Sequence, residues 1–261
     1  MGGYKYAVNR VDYFSGVVPP EYDLMKQCSY FRAERVVYVY TNEASLNKYT
    51  QFTYGACGEN IIVGNSAAPT NNHLDLLPYL TRLNLGSRKV YLPLSYAGRA
   101  KYVSAVHEAY QKELGSSVVG MLDFMPVQDY LAILRSCGVG IYFHERQQAL
   151  GNIKSLMWNG GKAFLSETSV LYGYFKQLGL HVFSIQRDLT QTALDTPLSE
   201  EQRHQNRLIL QRLGNRETVN SNLIDIYTRI SNDRQRQRGS VPVSSMSSQP
   251  RETSEGLKAE T

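Results

Sequence analysis

The 261-residue sequence has no apolar run approaching the roughly 20 residues a membrane-spanning helix requires. It opens with no secretory signal, and "MGGYKY" carries Tyr6 where a myristoylation signal needs Ser or Thr. Cysteine is scarce: Cys28, Cys57 and Cys137 are far apart, with no CxxC, which points to a reducing compartment and free thiols. The five histidines and three cysteines show no metal-ligand spacing, so no metal and no cofactor is expected. Also missing are the GxxxxGK[ST] phosphate loop, GxGxxG, the GxSxG elbow, HExxH and the EF-hand loop. These absences place the chain in the cytoplasm, at most peripheral on the inner face of a membrane.

The charge surplus is modest, +5 from 28 Lys and Arg against 23 Asp and Glu. Four arginines between Arg229 and Arg238 supply much of it. They adjoin "GSVPVSSMSSQPRETSEGLKAET", a stretch too polar to bury a core, so 233–261 reads as a disordered tail. The basic tail is therefore discounted as a nucleic-acid signal.

What is present is a regular alternation. Short apolar runs bounded by glycine or polar residues fall at 60–64, 89–94, 116–122, 138–143, 162–166 and 181–184. Helical periodicity lies between them. Leu74, Leu77, Leu80 and Leu83 share one face, with Pro78 expected to kink or shift that helix; Tyr102, Val106, Ala109, Tyr110 and Leu114 share another. The pattern predicts βαβ units and an α/β, Rossmann-like, doubly wound parallel sheet over 60–190. Helices are expected at 199–213, with Ser199 as cap, and at 216–231. Residues 1–59 are Tyr-rich, with one evident strand at 34–42 and no complete βαβ unit.

Ligands of such sheets lie beyond the carboxyl ends of the strands. There the sequence places Gly64-Asn65-Ser66, then Arg99 and Lys101, then Leu122-Asp123-Phe124, then His144-Glu145-Arg146-Gln147-Gln148 ahead of Gly151 and Asn152. Glycine lets backbone N–H groups approach a phosphate, and a helix following Gly151 would offer a positive dipole end. Arg146 brings a planar fork of donors suited to diphosphate. The alternatives are an ordinary Gly-Asn-Ser turn, solvated Arg99 and Lys101, and a structural ion-pair cluster at 144–146. His73 reads as a surface or capping residue, His107 and His181 as structural.

"IIVGNSAAPTNNHLDLL", "DYLAILRSCGVGIYFHERQQALGNIKSLMWNGGKAFLSE" and "GLHVFS" together resemble one family. It is the TDP-Fuc4NAc:lipid II Fuc4NAc transferases, glycosyltransferase family 56. The resemblance rests on Val63-Gly64-Asn65-Ser66, Asn72 with His73, Tyr130–Cys137 and Arg146-Gln147-Gln148-Ala149-Leu150-Gly151. It implies the C-terminal, donor-binding half of a GT-B glycosyltransferase, with 1–59 the remnant of an absent N-terminal half and 191–232 closing helices. It further implies a dTDP- or UDP-linked sugar donor such as Fuc4NAc, a lipid-linked or polysaccharide acceptor, and a role in enterobacterial common antigen. Arg146 and Glu145 are the expected catalytic residues. Gly64, Asn65, Ser66, Asn72, Asp123, Phe124, His144, Gln147, Gln148, Gly151 and Asn152 are the expected donor contacts, with His144 or Glu145 on sugar hydroxyls. The other possibility is a non-catalytic nucleotide-sugar-binding module that needs a separate acceptor domain.

Overall fold

The computed structural model describes residues 2–38 and 57–239. The six apolar runs all become strands: β3 (Asn60–Val63), β4 (Val90–Pro93), β5 (Val118–Met121), β6 (Cys137–Tyr142), β7 (Lys162–Leu165) and β8 (Val182–Ser184). They form one sheet in the order β5-β4-β3-β6-β7-β8, with every neighbouring pair parallel. Successive strands run outward from β3 to one edge, and the chain then returns to β6 and runs outward to the other. This is the doubly wound Rossmann order.

Side chains alternate across the sheet, and each face feeds its own core. Ile62, Tyr142, Ala163 and Leu165 pack on one side with Leu134, Leu156, Phe175 and Leu210. Ile61, Val63, Ile141 and Phe164 pack on the other with Leu76, Leu80, Val106 and Tyr110. The first face is covered by α5 (Val127–Ser136), α6 (Leu150–Trp158), α7 (Val170–Gln177) and α10 (Glu200–Leu213), the second by α3 (His73–Leu80) and α4 (Ala100–Leu114). Two short helices, α8 (Ile185–Asp188) and α9 (Gln191–Asp195), follow β8. Strand β6 accepts α6 closely because Gly140 has no side chain. A Cβ there would lie 2.5 Å from Leu156 Cδ2.

Helix α10 begins where expected. Ser199 Oγ accepts from Gln202 N, and the Gln202 side chain returns to Ser199 N, a complete capping box. Ser199→Ala should cost about 1 kcal/mol, read as a lower urea midpoint at unchanged slope.

Two expectations shift. The inward face of α3 is His73, Leu76, Leu77 and Leu80, while Leu74 is exposed. Leu77 and Leu80 keep the inward face, whereas a row spaced by three drifts against the 3.6-residue turn and carries Leu74 outward. Pro78 sits inside the helix, which still runs on to Leu80. The last helix, α11 (Arg216–Gly239), continues past 231, so 233–239 is helical rather than tail; residues 240–261 lie outside the described residues. It lies against the N-terminal segment, where Tyr13 donates its hydroxyl to Asp233 and Arg229 Nη1 reaches Arg35 O at 2.9 Å.

The N-terminal segment holds α1 (Gly2–Val8), α2 (Glu21–Met25) and a two-residue parallel pair, β1 (Tyr13–Phe14) with β2 (Glu34–Arg35). Phe14, Tyr22 and Phe31 pack edge to face there. Of the strand expected at 34–42, only Glu34–Arg35 is extended in register, and residues 39–42 lie outside the described residues. Among the described residues no helix is long and apolar enough to cross a membrane.

Candidate functional site

Between β3 and β6 the direction of the connections reverses, the switch point whose carboxyl-end crevice is where ligands of open α/β sheets bind. The loops leaving these two strands are tied across it. Gly64 N donates to Ile141 O at 2.9 Å, and Asn72 Nδ2 donates to Phe143 O at 2.9 Å. Higher on the rim, Arg146 Nε donates to Thr70 Oγ1 at 3.2 Å, and Thr70 Oγ1 donates to Gln148 Oε1 at 2.8 Å. The crevice therefore brings together Gly64, Asn65, Ser66 and Asn72 from one side with His144, Arg146 and Gln148 from the other.

The Gly64 turn is built from below. Gly64 has φ +67°, and a Cβ there would lie 2.8 Å from His73 Nε2 and 3.0 Å from Asn71 Oδ1. Asn71, 1% exposed, accepts from Asn65 N and donates to Ser66 Oγ and Ala68 O. Ser66 is consequently buried, with its hydroxyl turned to Asn71 rather than outward. Asn65 Nδ2 reaches Tyr96 Oη at 3.2 Å.

On the facing loop, exposure divides the polar run. Glu145 and Arg146 are exposed, Gln147 and Gln148 half-buried. His144 is fully buried, so it does not reach a sugar hydroxyl; its ring packs 6.1 Å from that of Tyr142. The strand alternation that sends Tyr142 inward sends His144 the same way. No ion pair forms among His144, Glu145 and Arg146, which removes the structural-cluster alternative.

Ala149 turns the chain with φ 57° and α6 begins at Leu150, so Gly151 and Asn152 lie in its first turn. No side chain caps this helix. Its first N–H groups and the positive end of its dipole thus remain available for an anion beside Arg146.

Asp123 and Phe124 are not part of this cluster. They follow β5, the outer strand, and Phe124 is 89% exposed. The loop after β7, overlooked in the sequence, does belong beside it. Ser166 N donates to Tyr142 O at 3.3 Å, and Val170 N to Glu145 O at 3.1 Å. Glu167 there accepts from Ser184 Oγ at 2.6 Å and pairs with Arg187. The signal was available: "SETS" after a strand has the same small polar make-up as "GNS". Thr70 and Asn71 were missed because nothing local distinguishes them from Asn72. Among the described residues no group of three metal-ligating side chains occurs.

A cavity of about 200 Å³ lies on the far side of α6, between Leu150, Lys154, Tyr174 and Leu213 and the segment from Ser15 to Tyr38. It carries none of the strand-end residues.

Two buried histidines underlie the rim. Burial alone pushes His73 down from 6.5 to about 4, and burial chiefly does the same to His144. The unfolded chain therefore takes up protons below about pH 6.5 while the folded chain resists until about pH 4. Stability is complete above pH 6.5 and is lost as pH falls from there toward 4, by up to about 3 kcal/mol per ring. Urea midpoints at pH 7 and pH 4.5 should differ accordingly; equal midpoints would mean that neither ring is held neutral.

The six-stranded parallel sheet and its strand order are those of the Rossmann-like domain of GT-B glycosyltransferases. Solved glycosyltransferase structures share the fold, three of them as follows. HepE of Anabaena, in complex with UDP and glucose, aligns at TM-score 0.60 and 14% identity over 85% of this chain and 64% of its own. The sucrose-phosphate synthase of Thermosynechococcus elongatus aligns at 0.58 and 13% over 88% and 61%. The UDP-forming α,α-trehalose-phosphate synthase of Burkholderia vietnamiensis aligns at 0.56 and 13% over 83% and 59%. The chain spans between 59 and 64% of the length of these three structures. Residues 19–206 match the model of glycosyl transferase group 56, the 4-alpha-L-fucosyltransferases, and the chain belongs to that family.

Proposed function

We propose that the chain binds a nucleotide-diphosphate sugar at the β3–β6 crevice and transfers its glycosyl group. The observation carrying this reading is the tie from Arg146 through Thr70 to Gln148 across the crevice, beside the uncapped first turn of α6. Arg146 keeps its terminal guanidinium nitrogens for a diphosphate. The helix N–H groups and the backbone of the Gly64 turn supply neutral donors for the remaining oxygens. Such preorganised donors stabilise the charge that grows on a departing diphosphate. Glu145, exposed next to Arg146, is the carboxylate placed to meet the sugar or the incoming hydroxyl.

The proposed donor is a dTDP- or UDP-linked deoxy-amino sugar such as Fuc4NAc, and the acceptor a lipid-linked or polysaccharide glycan of the cell envelope, as in enterobacterial common antigen. Family membership supports this choice, and HepE, a fold relative, carries UDP and glucose in its crystal. Asp123 and Phe124 would read the base only if the nucleotide extends toward β5. The other reading is a donor-binding module that turns over only with a separate acceptor domain.

A thermal-shift screen of UDP, dTDP and GDP sugars tests both. A ligand at about 100 times its Kd should add roughly 2.7 kcal/mol of stability. Stabilisation by none of the three would overturn the donor site. Binding without turnover, reversed by an added acceptor-domain protein, would decide for the module.

A further inference from the structure

At the opposite, amino-terminal end of the sheet, a second cavity of about 220 Å³ opens where β3, β6 and β7 begin. Its lining includes Cys57, Arg88, Gly138, Lys162, Leu198 and Arg203. It is smaller than the roughly 300–1,000 Å³ of sites for drug-sized ligands, so it suits a compact group.

Its charges do not balance. Lys162 is only 6% exposed, and a cation taken out of water normally faces a carboxylate. Here its ammonium donates to two carbonyls, Ala193 O at 2.8 Å and Thr196 O at 2.5 Å, and lies 4.9 Å from the centre of the Phe183 ring. Among the described residues no carboxylate pairs with it. The burial lowers its affinity for a proton, which is what an uncompensated cation experiences. Arg203, half-buried on the other wall, likewise has no side-chain hydrogen bond or ion pair among the described residues. Of the carboxylates lining the cavity, Asp195 is bound to Arg88 at 2.8 Å, and Glu59 is exposed.

We propose that this cavity is a second anion site, distinct from the donor crevice, that takes phosphate or the phosphate group of a small monoester between Lys162 and Arg203. An oxyanion there would accept the third ammonium hydrogen of Lys162 and the guanidinium fork of Arg203, giving both cations the counter-charge the fold withholds. Leu194, Pro197 and Leu198 would leave room only for a small apolar attachment.

The test uses inorganic phosphate on the full chain, as wild type, Arg146→Ala and Arg203→Ala, each against sodium chloride of equal ionic strength. Phosphate should raise the Tm of wild type and of Arg146→Ala by similar increments, and that of Arg203→Ala by less than half as much. An Arg203→Ala increment equal to wild type, or none in Arg146→Ala, overturns the site. Wild type gives an independent measurement. Cys57 lines the cavity whereas Cys28 does not, so phosphate should slow alkylation of Cys57 at least threefold while leaving Cys28 unchanged. If Arg203→Ala does not fold, this measurement decides, and an unslowed Cys57 ends the proposal. Because Arg146 is varied separately, failure here leaves the donor crevice untouched, and failure there leaves this site standing.

Discussion

Arg146→Ala is expected to weaken binding of UDP or dTDP severely and to lower turnover by about 10²–10³, the cost typical of removing one preorganised donor from a developing oxyanion. The side chain is exposed and, among the described residues, makes its polar contact with Thr70 alone, so the fold should survive and the Tm without ligand should hardly move. That separation makes the experiment decisive. Arg146→Lys should recover part of the loss, since charge returns without the planar fork. Calorimetry giving unchanged nucleotide affinity in Arg146→Ala would remove the residue from the site.

Gly64→Ala is expected to damage both stability and donor binding. An L side chain at φ +67° costs about 1–3 kcal/mol from the backbone alone. The new methyl would also press on the His73 ring and the Asn71 amide, the two groups that shape the turn. Gly86 offers the matched control. Its φ is +58°, but a Cβ there meets nothing within 4 Å. Gly86→Ala should therefore show the backbone cost only. If the two variants shift the urea midpoint equally, the turn is not packed against His73 as described.

The contrast between those positions indicates what a sequence discloses. Strands such as "NIIVG" and "KAFLS" announced themselves, because a strand buried on both faces must be a short apolar run and its ends must be small or polar. Ser199 with Gln202 was equally legible, since a capping box is a local interaction. Side-chain direction was not. His144-Glu145-Arg146 reads as three rim residues, yet alternation buries His144 and exposes its two successors. Ser66 looked like a phosphate contact until Asn71, five residues on, claimed its hydroxyl. Leu74 matched a helical stripe, yet the face that meets the core is His73, Leu76, Leu77 and Leu80. In each case the deciding partner is a tertiary neighbour. The joining of residues near 65 with residues near 146 follows from strand order, which no local pattern encodes; there the family resemblance supplied what periodicity could not.

That joining also governs when the crevice can exist. The central strand β3 meets β4 within about 30 residues, whereas its other neighbour, β6, arrives some 75 residues later. Closing the longer loop adds entropy cost and delay. On a ribosome, β3, β4 and β5 and their helices can assemble while the opposite flank of β3 stays open, a bare hydrogen-bonding edge awaiting its mate. Any substitution that slows β6 docking lengthens that vulnerable interval, so nascent chains would be lost to misassembly even where the finished protein is stable.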